Sequence, residues 1–218
     1  MVAQITEGTA FDKHGRPFRR RNFTPAIVVF AVLAVVTMIV WVIALNRAPD
    51  VTEAAACNPP ADNTTSDPTQ SKLGEQMTRA SMTEVNPANL ADTKIRVLNA
   101  SGQGGQAAEV AGQLRDLGFA EPTAENDPLY TNSRLACQGQ IRFGPAGRAA
   151  AAAVWLVAPC VELYQDQRPD STVDLAIGTD FGELARSDDV EAVLSSLRPD
   201  ATQPADPMLI SKIHSAAC

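Results

Sequence analysis

Val97-Leu98-Asn99-Ala100-Ser101-Gly102-Gln103-Gly104-Gly105-Gln106-Ala107, VLNASGQGGQA, joins an apolar run to a helical one. Upstream, Lys94–Asn99 reads KIRVLN; Ile95, Val97 and Asn99 alternate with Arg96 and Leu98, the period of a strand. Downstream, Ala107, Val110, Ala111, Leu114 and Leu117 share one helical face, with Glu109, Gln113, Arg115 and Asp116 opposite. Gly118 is placed to end that helix. The stretch is therefore a strand-to-helix turn, and it sets the class as α/β. It also fits the dinucleotide pattern G-x-G-x-x-G/A through Gly102, Gly104 and Ala107. Whether a cofactor follows depends on the compartment and on the rest of the domain.

Working outward, Phe119–Ala124 is a weaker strand and Glu125–Ala136 a polar loop. Gln140–Pro159, QIRFGPAGRAAAAAVWLVAP, repeats the order strand, Gly turn, helix, stop. The Ala149–Ala153 run favours helix and has no bulk, so that helix can lie close to a sheet. Val161–Tyr164 reads as an edge strand and Val173–Gly178 as a core strand. Asp180 and Glu183 form a D-x-x-E capping pattern, and Asp188–Leu197 is the last helix, stopped by Pro199. The expectation is a single small βαββαβ-like domain over 92–198. Residues 46–91, with Pro49, Pro59, Pro60, Pro68 and Pro87, read as an extended linker with a short helix over Lys72–Met82. Residues 199–218 read as a C-terminal tail.

The N-terminus sets the compartment. Thr24–Leu45, TPAIVVFAVLAVVTMIVWVIAL, is 22 residues without a charge. At about 1.5 Å per residue a helix of that length covers roughly 33 Å, enough for the hydrocarbon core. It is longer than a signal-peptide core. The AAAC at Ala54–Cys57 lies too far past it for a lipoprotein cleavage site and has Ala54 where Leu is usual. Lys13, Arg16, Arg19, Arg20 and Arg21 precede the apolar run, and only Arg47 closely follows it. The positive-inside rule then makes 1–23 a cytoplasmic tail and 24–45 a transmembrane helix of the inner membrane, with the rest extracytoplasmic. From Asn46 onward, 13 Lys and Arg face 23 Asp and Glu. Such a surface repels nucleic acid.

All four cysteines, Cys57, Cys137, Cys160 and Cys218, follow the apolar run and none is in C-x-x-C spacing. In an oxidising compartment they read as two disulfides. A helix that packs back on its strand returns to the strand's starting pole, which favours Cys137 with Cys160. Cys57 and Cys218 would then tie the linker to the tail, a long closed loop worth on the order of 4 kcal/mol.

Residues 95–119, IRVLNASGQGGQAAEVAGQLRDLGF, resemble the opening of the C-terminal domain found on LytR-type cell-wall proteins: a strand ending V-x-N-G/A-[ST], a Gly turn, an Ala-rich helix and L-x-x-x-G-F. Gly178-Thr179-Asp180-Phe181 matches the family's closing G-x-D-[FY]. The resemblance implies a membrane-tethered extracytoplasmic protein that supports the cell envelope. Many members carry this domain behind a LytR–CpsA–Psr transferase domain. Here only linker is expected between Asn46 and Asp92, so that activity is not carried over.

Little nicotinamide dinucleotide exists outside the membrane. The domain is too small for two mononucleotide halves, and Pro122 interrupts the strand that would carry a ribose-binding Glu121 or Glu125. No cofactor is expected. Gly102, Gly104 and Gly105 are assigned unusual φ angles and a close helix approach. A modest functional reading also stands: backbone N–H groups at the helix start, flanked by Asn99 and Ser101, offer donors to a carboxylate, amide or sugar oxygen. Ser101 has no base nearby, since His14 is cytoplasmic and His214 reads as a solvated tail residue. Capping accounts for Asp180 and Glu183, the nearest candidate pair for glycan cleavage, which leaves a glycan hydrolase as a remote alternative. No His, Cys and Asp grouping has metal-ligand spacing. Asn63-Thr64-Thr65 matches a glycosylation acceptor only in a eukaryotic secretory pathway. The expected function is thus non-enzymatic, with binding of cell-envelope proteins ahead of direct peptidoglycan binding. A protein interface is expected to expose an apolar patch around Trp155, Leu129 or Tyr130.

Overall fold

The computed structural model describes residues 24–46, 56–61 and 73–215. They divide into two units, each described by itself. The first is α1 (Thr24–Asn46), a helix of 23 residues whose described side chains, at 25–41, are all exposed. Among the described residues no helix is long and apolar enough to cross a membrane. The expected span is therefore seen as a helix and not established as a crossing. Residues 1–23, expected as a cytoplasmic tail, and the Asn63 acceptor lie outside the described residues.

The second unit is one six-stranded mixed sheet with helices on one face. Its elements are β1 (Glu75–Met77), α2 (Arg79–Thr83), β2 (Ile95–Asn99), α3 (Gln106–Asp116), β3 (Thr123–Asn126), β4 (Gly139–Phe143), α4 (Arg148–Val157), β5 (Glu162–Gln165), β6 (Val173–Ile177), α5 (Asp188–Ser196) and α6 (Pro207–His214). The strand order is β1-β5-β4-β6-β2-β3. β6 runs parallel to β2, and β2 parallel to β3. β4 is antiparallel to β6 and parallel to β5, and β1 closes the far edge antiparallel to β5. From β2 to β6 the order is βαββαββ, the expected βαββαβ with one more strand.

Period-two alternation divides the sheet residues between two environments. Ile95, Val97, Ile141, Phe143, Leu163, Val173, Leu175 and Ile177 pack with α3, α4, α5 and α6 in the main core. Eight consecutive residues of α4, Ala150–Val157, are buried there. The alanines let this helix approach the sheet, as their lack of bulk predicts. On the opposite face Leu98 and Ala176 meet a small cluster made by Ala100, Tyr130, Leu135 and Cys137. Gly178 makes that closure possible. A Cβ at Gly178 would fall on the Cys137 carbonyl oxygen. Without one, Thr179 N–H reaches the Leu135 carbonyl at 2.8 Å and Asp180 N–H the Cys137 carbonyl at 3.1 Å.

Several expectations are corrected. The 46–91 linker contributes β1 and α2 to the fold, and Met82 and Leu90 are fully buried. The 199–218 tail contains α6, capped by the Asp206 carboxylate on Met208 N–H at 2.8 Å, with Ile210, Ile213 and His214 buried. The edge position expected for Val161–Tyr164 belongs to β1, because the supposed linker supplies one more strand. The strand expected at Phe119–Ala124 begins at Thr123, since Phe119 turns into the core. Asp180 and Glu183 cap no helix; both are exposed, and the capping residue of α5 is Ser187.

The disulfide pairing also differs. Cys57 bonds Cys137, with Cα atoms 5.0 Å apart. The reason is the course of residues 56–61 along the 127–137 loop. Asn58 Oδ1 accepts from Ala136 N–H at 2.6 Å, Asn58 Nδ2 donates to the Arg134 carbonyl at 3.1 Å, and Tyr130 hydroxyl donates to the Asn58 carbonyl at 2.7 Å. Cys160 is also disulfide-bonded, and Cys218 lies outside the described residues.

His214 is not solvated. Its ring stacks on buried Trp155 with centroids 3.5 Å apart, and Arg79 donates to its carbonyl at 3.2 Å. Burial first, and the charge of Arg79 second, push the imidazole down to about 4 from its ordinary 6.5. The neutral ring is the form that packs. Its stabilisation is therefore full above pH 6.5 and drains as pH falls from 6.5 toward 4, by at most about 3 kcal/mol. Denaturant unfolding of the full chain in detergent at pH 7 and pH 4.5 should show this loss, and His214→Phe should show a markedly smaller one.

Candidate functional site

The Gly turn at the end of β2 is organised by one amide. Asn99 Nδ2 donates to the Gln103 carbonyl at 2.7 Å. Its Oδ1 accepts from Ser101 N–H at 3.2 Å, Gly102 N–H at 3.3 Å and the Ser101 hydroxyl at 3.0 Å. The same hydroxyl lies 2.6 Å from Gln106 Oε1, so one proton serves two acceptors. It accepts in turn from Gln103 N–H at 3.0 Å. Ser101 is 1% exposed. These groups satisfy one another, which is what the buried Ser101 hydroxyl requires, although Gly102–Gly105 are exposed.

Gly102 and Gly105 have φ of +77° and +83°, the left-handed region that favours glycine. Gly104 has no positive φ, and a Cβ at Gly104 or Gly105 would meet open space. The close helix approach assigned to all three is thus absent. Only Gly102 is crowded, by the Arg134 guanidinium, whose Nε would lie 2.9 Å from a Cβ.

Two crevices flank the turn. One, of about 450 Å³, lies between the start of α3 and Phe181–Glu183, and Glu109 and Glu183 stand on its walls. The other, of about 530 Å³, lies at the carboxyl ends of β2 and β3 and is walled by Asn126 and the Thr131–Arg134 segment. Open α/β sheets place ligands at such strand ends.

Beneath the second crevice is a buried charge cluster that sequence reading missed. Asp127 and Arg142 are 1% and 3% exposed. Their oxygen and terminal nitrogen stand 2.9 Å apart. Gln140 Oε1 accepts from Arg142 at 2.8 Å, and the guanidinium lies 5.6 Å from the centre of the Tyr130 ring. Asp127 Oδ1 also accepts from Leu129 N–H at 2.8 Å, fixing the start of the loop. The only forewarning was the alternation of Gln140 and Arg142 with Ile141 and Phe143. A second cluster joins Arg96 and Arg168 to Asp174 at 2.8 and 2.7 Å, and Arg168 to Asp166. Hydrogen bonding to Asp174 raises the Arg96 pKa. Tyr164 donates to Glu162 at 2.9 Å; burial, then that bond, raises its phenol.

Trp155 and Tyr130, expected on an exposed apolar patch, are 0% and 4% exposed, and Leu129 is partly buried. Their bulk closes the two cores instead. His214 is held against Trp155, and Ser101 hydrogen-bonds to Asn99 and Gln106. No group of three metal-ligating side chains occurs among the described residues.

Comparison with known proteins follows the same outline. The family model described as LytR cell envelope-related transcriptional attenuator matches residues 92–181. The cell envelope integrity protein Cei of Mycobacterium tuberculosis is 66% identical over 218 residues, covering 100% of both chains. The crystal structure of the soluble domain of a conserved hypothetical secreted protein from Mycobacterium marinum has 67% identity and a TM-score of 0.66. It covers 67% of this chain and 99% of that one. The fold extends past the family match at both ends, through β1 and α2 and through α5 and α6.

Removing one partner of the buried pair should be costly. Asp127→Ala leaves Arg142 charged and enclosed, a loss of about 3–5 kcal/mol. Asp127→Asn keeps an acceptor and should lose less. Denaturant midpoints of the two variants test the order.

Proposed function

The chain belongs to the LytR C-terminal domain family, and on that premise we propose a membrane-tethered, extracytoplasmic, non-catalytic protein that supports the cell envelope by binding one of its components. The name of the Mycobacterium tuberculosis relative supports the envelope role. The uncharged Thr24–Leu45 run inside α1, with Arg19, Arg20 and Arg21 before it, supports a single-pass tether with the N-terminus in the cytoplasm. The Cys57–Cys137 disulfide supports an oxidising compartment for the folded unit.

One observation carries the binding reading. The side chains best suited to chemistry are enclosed in internal pairs, while the crevice at the ends of β2 and β3 keeps its amides and hydroxyls open. In the described part of the folded unit, Met208 is the one large exposed hydrophobic residue. The balance therefore moves from an apolar protein contact toward a polar ligand, and peptidoglycan becomes the first reading. A protein partner is the second, favoured by β3. All four of its residues are exposed, and among the described residues one side of it is unpaired, the geometry of strand addition.

The full chain should remain in the membrane fraction after alkaline carbonate washing. Solubilised in mild detergent, it should co-sediment with purified peptidoglycan. Carbonate release would remove the tether. Failure to co-sediment, with crosslinks from a probe at Glu125 to an envelope protein, would transfer the function to the second reading.

A further inference from the structure

We propose that the crevice at the carboxyl ends of β2 and β3 binds a hydroxylated ring bearing a carboxylate, with Arg134 as the partner of that carboxylate. The inference rests on the wall-binding reading above and gives it a site and a ligand chemistry.

Three features converge on this place. First, its wall is held rigidly. The 127–137 loop is fixed to the sheet by Asp127 N–H on the Asn99 carbonyl at 3.0 Å and Leu135 N–H on the Ala100 carbonyl at 2.9 Å. From outside it is fixed by the Cys57–Cys137 bond and by Asn58. Preorganised polar groups bind with less ordering cost.

Second, the groups on that rigid wall are left without partners. Ser133 Oγ is buried and among the described residues has no hydrogen bond. Asn126, Thr131 and Asn132 are exposed, and among the described residues their side chains make no hydrogen bond. The contrast with Asn99 and Ser101 is sharp, since those groups satisfy each other inside the turn. Amides and hydroxyls carried side by side on a fixed backbone suit the alternating donors and acceptors of a sugar ring.

Third, the charge is one-sided. Asp127 and Arg134 are the charged residues lining the crevice. Asp127 is neutralised by Arg142 at 2.9 Å. Arg134 forms no ion pair among the described residues and lies over Gly102 at the rim. Its fork of donors matches a carboxylate. The neighbouring crevice, walled by Glu109 and Glu183, has the opposite character and would repel the same ligand.

Two sugars that differ by a carboxylate make the test. Detergent-solubilised full chain is titrated by calorimetry with N-acetylmuramic acid, which carries a lactyl carboxylate, with N-acetylglucosamine, which lacks one, and with lactate alone. The muramic acid should bind at least about tenfold more tightly than either. Arg134→Gln, at an exposed side chain, should erase that preference. Asn126→Ala should weaken both sugars. Glu183→Gln should leave them unchanged. Equal binding of the two sugars, or a preference that survives Arg134→Gln, overturns the proposal. If peptidoglycan co-sedimentation persists in that case, the wall reading stands and only the site is wrong. If co-sedimentation fails as well, both fall.

Discussion

Helices cover one face of this six-stranded sheet, so the other face has to be closed by something thinner than a helix. The solution is partly electrostatic. Asp174 on β6 sits between Arg96 on β2 and Arg168 from the loop that leads into β6, and Arg142 on β4 is enclosed with Asp127 and Gln140. Such pairs gain little net stability over an apolar layer, but each depends on its partner. The remainder is covered by the 127–137 loop, which brings Tyr130, Leu135 and Cys137 onto Leu98 and Ala176. A loop of that kind needs attachment, and residues 57 and 58 supply it. The disulfide, the Asn58 bridges and Gly178 all follow from the one-sided helix layer.

The units with internal period were legible. The alternation in KIRVLN, the helical stripe from Ala107 to Leu114 and the repeated strand–turn–helix order place β2, α3, β4, α4 and β6 without reference to anything distant. The elements that were missed have no such period. Met82 and Leu90 are isolated apolar residues in a segment rich in Pro, Thr and Asn, and Ile210 and Ile213 occupy a helix of 8 residues. Their burial is decided by the main core, which local sequence does not display. The Cys57–Cys137 pairing is hidden for the same reason, since nothing in the local sequence shows that residues 56–61 run along the 127–137 loop.

The site divides along the same line. Asn99, Ser101 and Gly102 were recognisable because a turn is built from neighbours. Arg134 and the Asp127–Arg142 pair come together only through the order β4-β6-β2-β3, in which β6 and β2 stand between two strands consecutive in the chain. The dinucleotide pattern illustrates the hazard of reading spacing alone. Gly104 satisfies the motif and yet faces open space, so the letters match while the close approach they usually encode is missing.

The position of Cys57 has a mechanical consequence. It is the covalent entry to the folded unit on its N-terminal side, and its sulfur leads straight to Cys137, at the end of the loop that walls the crevice. Tension between an anchored N-terminus and anything gripped at that crevice would travel through this bond. β1, α2, β2, α3 and β3 lie in the chain between the two cysteines and are spared the pull. In the tethered, ligand-holding state proposed above, the bond would reinforce the molecule along its line of load, as a rivet joins a strap to the plate it must hold.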